Sequence, residues 1–259
     1  MSTTQPLVTG EMYKHIVERD EARAHGVTVC IPYFNESQET IERAVQSALD
    51  QTVKPREIII VDDGSEQPHI PVLMTEYSPL IRTTKITNRG LPAARNTALM
   101  LAKGEFFLPL DSDDWIDSRY IELTLPVIKA GADVVLVGLQ EHGDAPRNRD
   151  YMPGYDMPLA NVTEKLLWTM NRYFYCALMR TELLREIGGY HPAMAGWPGI
   201  SGGYEDWDMW IDLTRRKARF ACVNETLLNY TTKADSMLLR AERNKGILVD
   251  EMRRHHRCR

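Results

Sequence analysis

The chain has 259 residues, 43% of them hydrophobic and 26% charged, with a formal net charge of -5. That length and balance allow a substantial core and exclude a disordered, collagen-like or disulfide-stapled chain. Acidic residues outnumber basic ones, 36 to 31, so any attraction to a polyanion must be local rather than spread over the whole surface.

Residues 1–25 carry no apolar stretch behind a basic start and read as an N-terminal extension; no apolar run anywhere is long enough to span a bilayer. Val27 to Pro32, VTVCIP, predicts a buried strand, and Asn35 or Ser37 caps a helix with Ile41, Ala44, Val45, Ala48 and Leu49 on one face. A second apolar strand, Glu57 to Val61, ends abruptly in Asp62-Asp63-Gly64-Ser65. A helix over Leu91 to Lys103 has Pro92 in its first turn and Gly104 at its end. The strand Glu105 to Leu110 follows and runs into Asp111-Ser112-Asp113-Asp114. A helix over Ser118 to Ala130 and a strand over Asp133 to Val137 continue the alternation. The pattern predicts an α/β fold, a Rossmann-like, mostly parallel central sheet flanked by helices, with its ligand crevice beyond the strand C-termini.

The stretch from Glu141 to Pro158, rich in Pro, Gly, Arg and Asp, reads as a loop or subdomain joint. Beyond it the spacing predicts a helix over Asn161 to Met170, a strand over Tyr173 to Met179 and a short helix over Thr181 to Ile187 stopped by Gly188-Gly189. A helix over Asp206 to Arg216 and a strand around Phe220 to Val223 follow. Residues 240–259 hold seven Lys or Arg against three acids and read as a frayed, solvated helix end that could touch an anionic surface. The chain thus divides into 1–25, a regular β/α half 26–139, a less regular half 140–239 and the basic tail 240–259. Its cysteines, Cys30, Cys176, Cys222 and Cys258, form no CxxC pair, which argues for a reduced, cytoplasmic setting.

Two carboxylates at alternate positions of a strand exit, Asp111 and Asp113, can hold a hard divalent cation, and the Asp62-Asp63 cluster ends a neighbouring strand, so both converge on one crevice. Arg95, on a helix with Asn88 and Gly90 just ahead of its start, combines oriented N–H groups with a guanidinium, which suits a diphosphate. Tyr33 and Phe34 offer rings on which a nucleobase could stack. In Gly202-Gly203-Tyr204-Glu205-Asp206-Trp207 the acids open a helix, and a carboxylate beside Trp207 and Trp210 can be desolvated into a general base.

In order, IPYFNE, EIIIVDDGS, NRGLPAARNTAL, FFLPLDSDD, REIGGY and GGYEDWDMW resemble the family 2 glycosyltransferases of GT-A fold, over roughly Val27 to Tyr230. The resemblance implies that Pro32, Phe34, Glu36, Asp62 and Asp63 cradle the nucleotide base, and that Asn88, Gly90 and Arg95 line the nucleotide and diphosphate. It implies further that Asp111, Ser112 and Asp113, the DxD motif, bind the ribose and a Mn2+ or Mg2+. Glu205-Asp206 match the ED motif, with Asp206 as base and Glu205 holding the acceptor, and Tyr204 and Trp207 stand on the acceptor side. The expected reaction is inverting transfer of one sugar from a nucleotide sugar, UDP being the commonest nucleotide, to a hydroxyl of a glycan, lipid-linked sugar, protein or modified nucleic acid. Two features depart from the family. Lys233 stands where many relatives carry a metal-binding His near the lid, and the QxxRW signature of processive relatives is absent.

Two other readings compete with it. A sugar-1-phosphate nucleotidyltransferase would need a glycine-rich basic loop after the first strand, and IPYFNES offers none. A non-catalytic anion-binding module would use the acidic turns only as solvated caps.

Overall fold

The computed structural model describes residues 26–66, 79–143, 163–197, 200–234 and 236–257. The N-terminal extension and most of the Glu141–Pro158 joint lie outside these residues.

Strands β1 (Val27–Tyr33), β2 (Glu57–Asp62), β3 (Ile81–Lys85), β4 (Phe106–Pro109), β5 (Trp115–Ile116), β6 (Val134–Gly143), β7 (Leu178–Arg180) and β10 (Phe220–Thr232) form one eight-stranded sheet. Its order is β3-β2-β1-β4-β7-β6-β10-β5. The pairs β1–β2, β1–β4, β2–β3 and β6–β10 are parallel, while β7 runs antiparallel between β4 and β6. Two short strands, β8 (Gly196–Trp197) and β9 (Ile200–Ser201), pair separately. The mostly parallel sheet expected from the β/α alternation is therefore present.

Period-two alternation sends side chains to both faces of the sheet, and both are covered, which is why β1 and β2 are apolar throughout. Val29, Ile31, Ile58 and Ile60 pack on one side with Ile41 and Val45 of α1 (Gln38–Leu49) and with Tyr120, Ile121 and Ile128 of α3 (Tyr120–Lys129). Cys30, Ile59 and Val61 face the other side, with Ala94 and Ala98 of α2 (Leu91–Leu101) and Trp207, Trp210 and Ile211 of α6 (Glu205–Arg215). Ser37 caps α1 by accepting from the Thr40 N–H, as the sequence suggested.

The second half departs further from expectation. The helix expected over Asn161 to Met170 shortens to α4 (Glu164–Leu167), and regular strand geometry begins only at Leu178, because Tyr173 to Ala177 run as irregular backbone. The strand at Phe220 extends to Thr232, its register against β6 shifting between Val223 and Thr226 and again before Leu228. Those irregularities break the alternation, so its length was hidden from periodicity. Between α4 and α6 lies α5 (Thr181–Glu186). The basic tail is not a frayed end. It folds as α7 (Met237–Arg243) and α8 (Lys245–Arg257), with Leu248, Met252 and His256 buried. Among the described residues, no helix is long and apolar enough to cross a membrane.

Candidate active site

The parallel strands β1, β2 and β4 deliver their C-terminal ends to one side of the molecule, and each leads into a polar turn there. Leu110, just past β4, donates its N–H to the Cys30 carbonyl, so Asp111 is the first residue to leave the sheet. The turn that follows is organised by Asp114, which is buried to 1% exposure. Its Oδ2 accepts from the Tyr175 hydroxyl at 2.6 Å, and its Oδ1 accepts from the Thr231 N–H at 2.7 Å. The Tyr175 oxygen in turn accepts from the Asp111 N–H at 3.0 Å. The Asp113 carbonyl accepts from Arg43 Nη2 and from the Thr231 hydroxyl. Asp111 and Asp113 are thus presented by a turn tied to β10 and to the segment before β7. Neither Asp114 nor Tyr175 was singled out from the sequence, although Asp114 adjoins the motif.

Arg95 is turned inward rather than toward a diphosphate. Its side chain is fully buried, with Nη2 2.6 Å from Asp111 Oδ1 and Nη1 2.7 Å from Glu205 Oε1. The guanidinium lies over the rings of Tyr175 and Tyr190, its carbon 4.9 and 5.3 Å from their centroids. Burial works against its charge, yet Asp111 and Glu205 outweigh that and hold it protonated. This corrects the expectation of a direct diphosphate contact: the side chain has no exposure to offer, and both terminal nitrogens are spent on carboxylates. It joins the DxD turn to the ED pair instead. Burial, opposed by Arg95 and aided by Asp113, lifts the Asp111 carboxyl to about 6.

Helix α6 begins at Glu205, after Tyr204 in left-handed conformation, φ 64°. Asp206 is half-buried; its Oδ1 accepts from the Trp207 N–H at 2.7 Å and its Oδ2 from the Asn171 amide at 3.1 Å. Burial, reinforced by neighbouring Glu205 and opposed by Arg95, raises the Asp206 carboxyl to about 7. Trp207 and Tyr204 do not present an acceptor surface. Trp207 is 1% exposed with its indole N–H on the Leu167 carbonyl, and the Tyr204 hydroxyl donates to Glu242 of α7. Both are wall residues that fix where α6 starts, and Asn171 is a partner of Asp206 that no spacing signal announced.

At the other end of the crevice Phe34 is exposed and Pro32 is buried within β1. Asp62 Oδ1 accepts from the Ser65 N–H, and Lys85 lies 3.3 Å from its Oδ2. Asp63 accepts the N–H groups of Arg89 and Gly90, at 2.9 and 2.7 Å, so its carboxylate clasps the loop that starts α2. That loop carries the exposed Asn88, and Gly90 has φ 83°, where a Cβ would lie 2.7 Å from the Ala195 Cβ. Asp62 and Asp63 therefore shape the expected base site chiefly by holding backbone. Ser112 is buried inside the DxD turn.

Lys233, just past β10, closes the arrangement: its Nζ lies 2.8 Å from Glu36 Oε1 and 2.9 Å from Asp113 Oδ2. Burial opposes its charge, but hydrogen bonds to Glu36 and Asp113 raise its proton affinity. For a divalent cation the donor set fits. Asp111 and Asp113 each keep one carboxylate oxygen outside these contacts, and burial first, with the Asp113 charge adding to it, raises the proton affinity of both Asp111 and Asp114, so a cation beside them would be favoured.

A family model described as glycosyl transferase family 2 matches residues 28–188. The chain is 26% identical over 235 residues to a chondroitin synthase of Escherichia coli, covering 88% of this chain and 33% of that protein. It is 34% identical over 120 residues to a cholesterol galactosyltransferase of Borreliella burgdorferi, covering 45% and 33% respectively. The chain thus spans about a third of the length of these relatives. Among solved structures, S. aureus TarS 1–349 in complex with UDP-GlcNAc superposes with a TM-score of 0.65 at 22% identity, over 83% of this chain and 60% of that one. That likeness establishes the GT-A fold, and with a family model covering more than half of the sequence the chain belongs to the family 2 glycosyltransferases.

Proposed function

We propose that the chain transfers one sugar from a UDP-linked donor to an acceptor hydroxyl, with inversion at the anomeric carbon and Asp206 as general base. The observation that carries this reading is the bridge Asp111–Arg95–Glu205, which puts the base-bearing end of α6 beside the DxD turn.

The donor side consists of Phe34 and Glu36 after β1, the loop with Asn88 and Gly90, and Asp111, Ser112 and Asp113. A Mg2+ or Mn2+ held by Asp111 and Asp113 would offset charge on the departing diphosphate. The side chains do the rest. Asp206, with proton affinity near neutrality, takes the proton from the acceptor hydroxyl as its oxygen bonds to the anomeric carbon and the carbon–phosphate oxygen bond breaks. Asn171 and the Trp207 N–H fix the carboxylate's orientation, and Glu205, pinned by Arg95, fixes the helix start. Lys233 exchanges its carboxylate partners for the diphosphate and so acts as a movable counter-charge.

The test is hydrolysis of a panel of UDP, GDP and dTDP sugars with and without Mn2+, since slow leakage to water needs no acceptor. Metal-dependent release of UDP is expected. Failure of every nucleotide sugar to bind with metal present would favour a non-catalytic module and overturn the proposal.

A further inference from the structure

Helix α8 is rich in arginine, yet Leu248, Met252 and His256 recur every four residues and are buried, so one face is docked on the body. At its C-terminal end that face meets α6. There Asp208 and Asp212, one turn apart on the helix that begins with Glu205-Asp206, face His255 and His256. We propose that Asp208, Asp212, His255 and His256 form a second cation site, suited to Zn2+, that fastens α8 to α6.

The geometry supplies the argument. His255 Nδ1 lies 3.1 Å from Asp208 Oδ2, and His256 Nε2 lies 3.0 Å from Asp208 Oδ1. His256 Nδ1 stands 3.4 Å from Asp212 Oδ1 and is buried without a hydrogen bond. One ligand atom from each of the four residues lies within 4.8 Å of all the others. Ligand atoms around a tetrahedral ion with bonds of about 2.0–2.1 Å stand about 3.3 Å apart. The contacts already approach that spacing. His256 can give Nδ1 to the ion while Asp208 Oδ1 accepts from its Nε2–H, the second oxygen of a ligating carboxylate orienting the imidazole.

Charge and burial point the same way. Asp208, Asp212 and His256 are each less than a tenth exposed, and two buried carboxylates on one helix face need positive charge close by. Burial opposes an imidazolium, but Asp208 and Asp212 outweigh burial and raise the His256 pKa to about 9, so one imidazolium answers only one of the two carboxylates, and a bound ion displaces that proton. His255 stacks on His191 with centroids 3.7 Å apart and planes 14° apart, which fixes its ring beside Asp208. A doubly charged ion neutralises both carboxylates and leaves the rings neutral, the form that both ligates and stacks. The mixed nitrogen and oxygen donors favour Zn2+ over Mg2+ or Mn2+, unlike the all-oxygen set at Asp111 and Asp113. Arg215 Nη1 donates to the His256 carbonyl at 3.1 Å, so the end of α8 is held from a second side.

The experiment is elemental analysis and thermal unfolding of the purified chain after dialysis against Zn2+, with Co2+ as a spectroscopic substitute. One equivalent of Zn2+ is expected, with a raised unfolding midpoint and the intense visible band of tetrahedral Co2+ bearing nitrogen ligands. Asp113→Asn should retain the ion, whereas His256→Ala and Asp212→Asn should lower Zn2+ affinity by about tenfold or more. The Co2+ band on the unaltered chain reads the ligand type even if a variant fails to fold. No Zn2+ uptake, or binding lost with Asp113→Asn and untouched by His256→Ala, overturns the proposal. None of these readouts depends on glycosyl transfer.

Discussion

Asp111 and Glu205 grip the two terminal nitrogens of one buried guanidinium, at 2.6 and 2.7 Å, so the turn after β4 and the start of α6 are set against each other through Arg95. The Asp111–Asp114 turn and the helix that opens with Glu205-Asp206, made from opposite halves of the chain, are thereby held in one geometry.

Removing that guanidinium leaves two carboxylates facing each other without compensation. Arg95→Ala should cost about 3–5 kcal/mol of stability, measurable by urea unfolding. Arg95→Lys should also fail to restore turnover, because a single ammonium cannot reproduce the two-pronged contact.

With Asp206 in the proposed role of general base, the pH dependence follows from its carboxyl. The carboxyl must be ionised to accept a proton, and burial with Glu205 beside it raises its pKa to about 7. Above that pH the base is in its working form, and below it the ionised fraction falls in proportion to proton concentration. Turnover at saturating donor should therefore show an acid limb with its midpoint near pH 7. A flat profile through pH 5–6 would exclude Asp206 as the titrating base.

Tyr175 joins the Asp111 N–H to the Asp114 carboxylate. Tyr175→Phe orphans two buried groups at once and should cost roughly 1–3 kcal/mol, with weaker donor binding because the DxD turn loosens. Calorimetric unfolding and titration with UDP, done together, separate this from a purely structural defect: a stability loss with unchanged UDP affinity would mean that the turn keeps its shape.

Lys233 supplies a charge-assisted contact that a neutral side chain lacks. Lys233→Met should raise the donor KM by about tenfold while leaving kcat much less affected. An unchanged KM would show that the lysine plays no part with the donor.

Much of the site is legible in the sequence because its signals are contiguous. DSDD follows FFLPL directly, and Glu205-Asp206 follow two glycines, so local pattern alone brings them to element ends. What stays hidden depends on direction rather than spacing. Nothing in NRGLPAARNTAL tells whether Arg95 faces out to a phosphate or in to Asp111. Trp207 reads equally as a platform or a wall. Strand β3 escapes notice because IRTTK is an edge strand with only Ile81 fully buried. The docking of α8 was readable in principle from the fourfold spacing of Leu248, Met252 and His256, but seven basic residues masked it.

The most direct test compares Asp206→Asn with the unaltered chain in donor binding and in single-turnover transfer. Nucleotide-sugar affinity should stay nearly the same while transfer falls by about 100- to 10000-fold. Parallel loss of both would mean that Asp206 supports the architecture and that the proton is taken elsewhere.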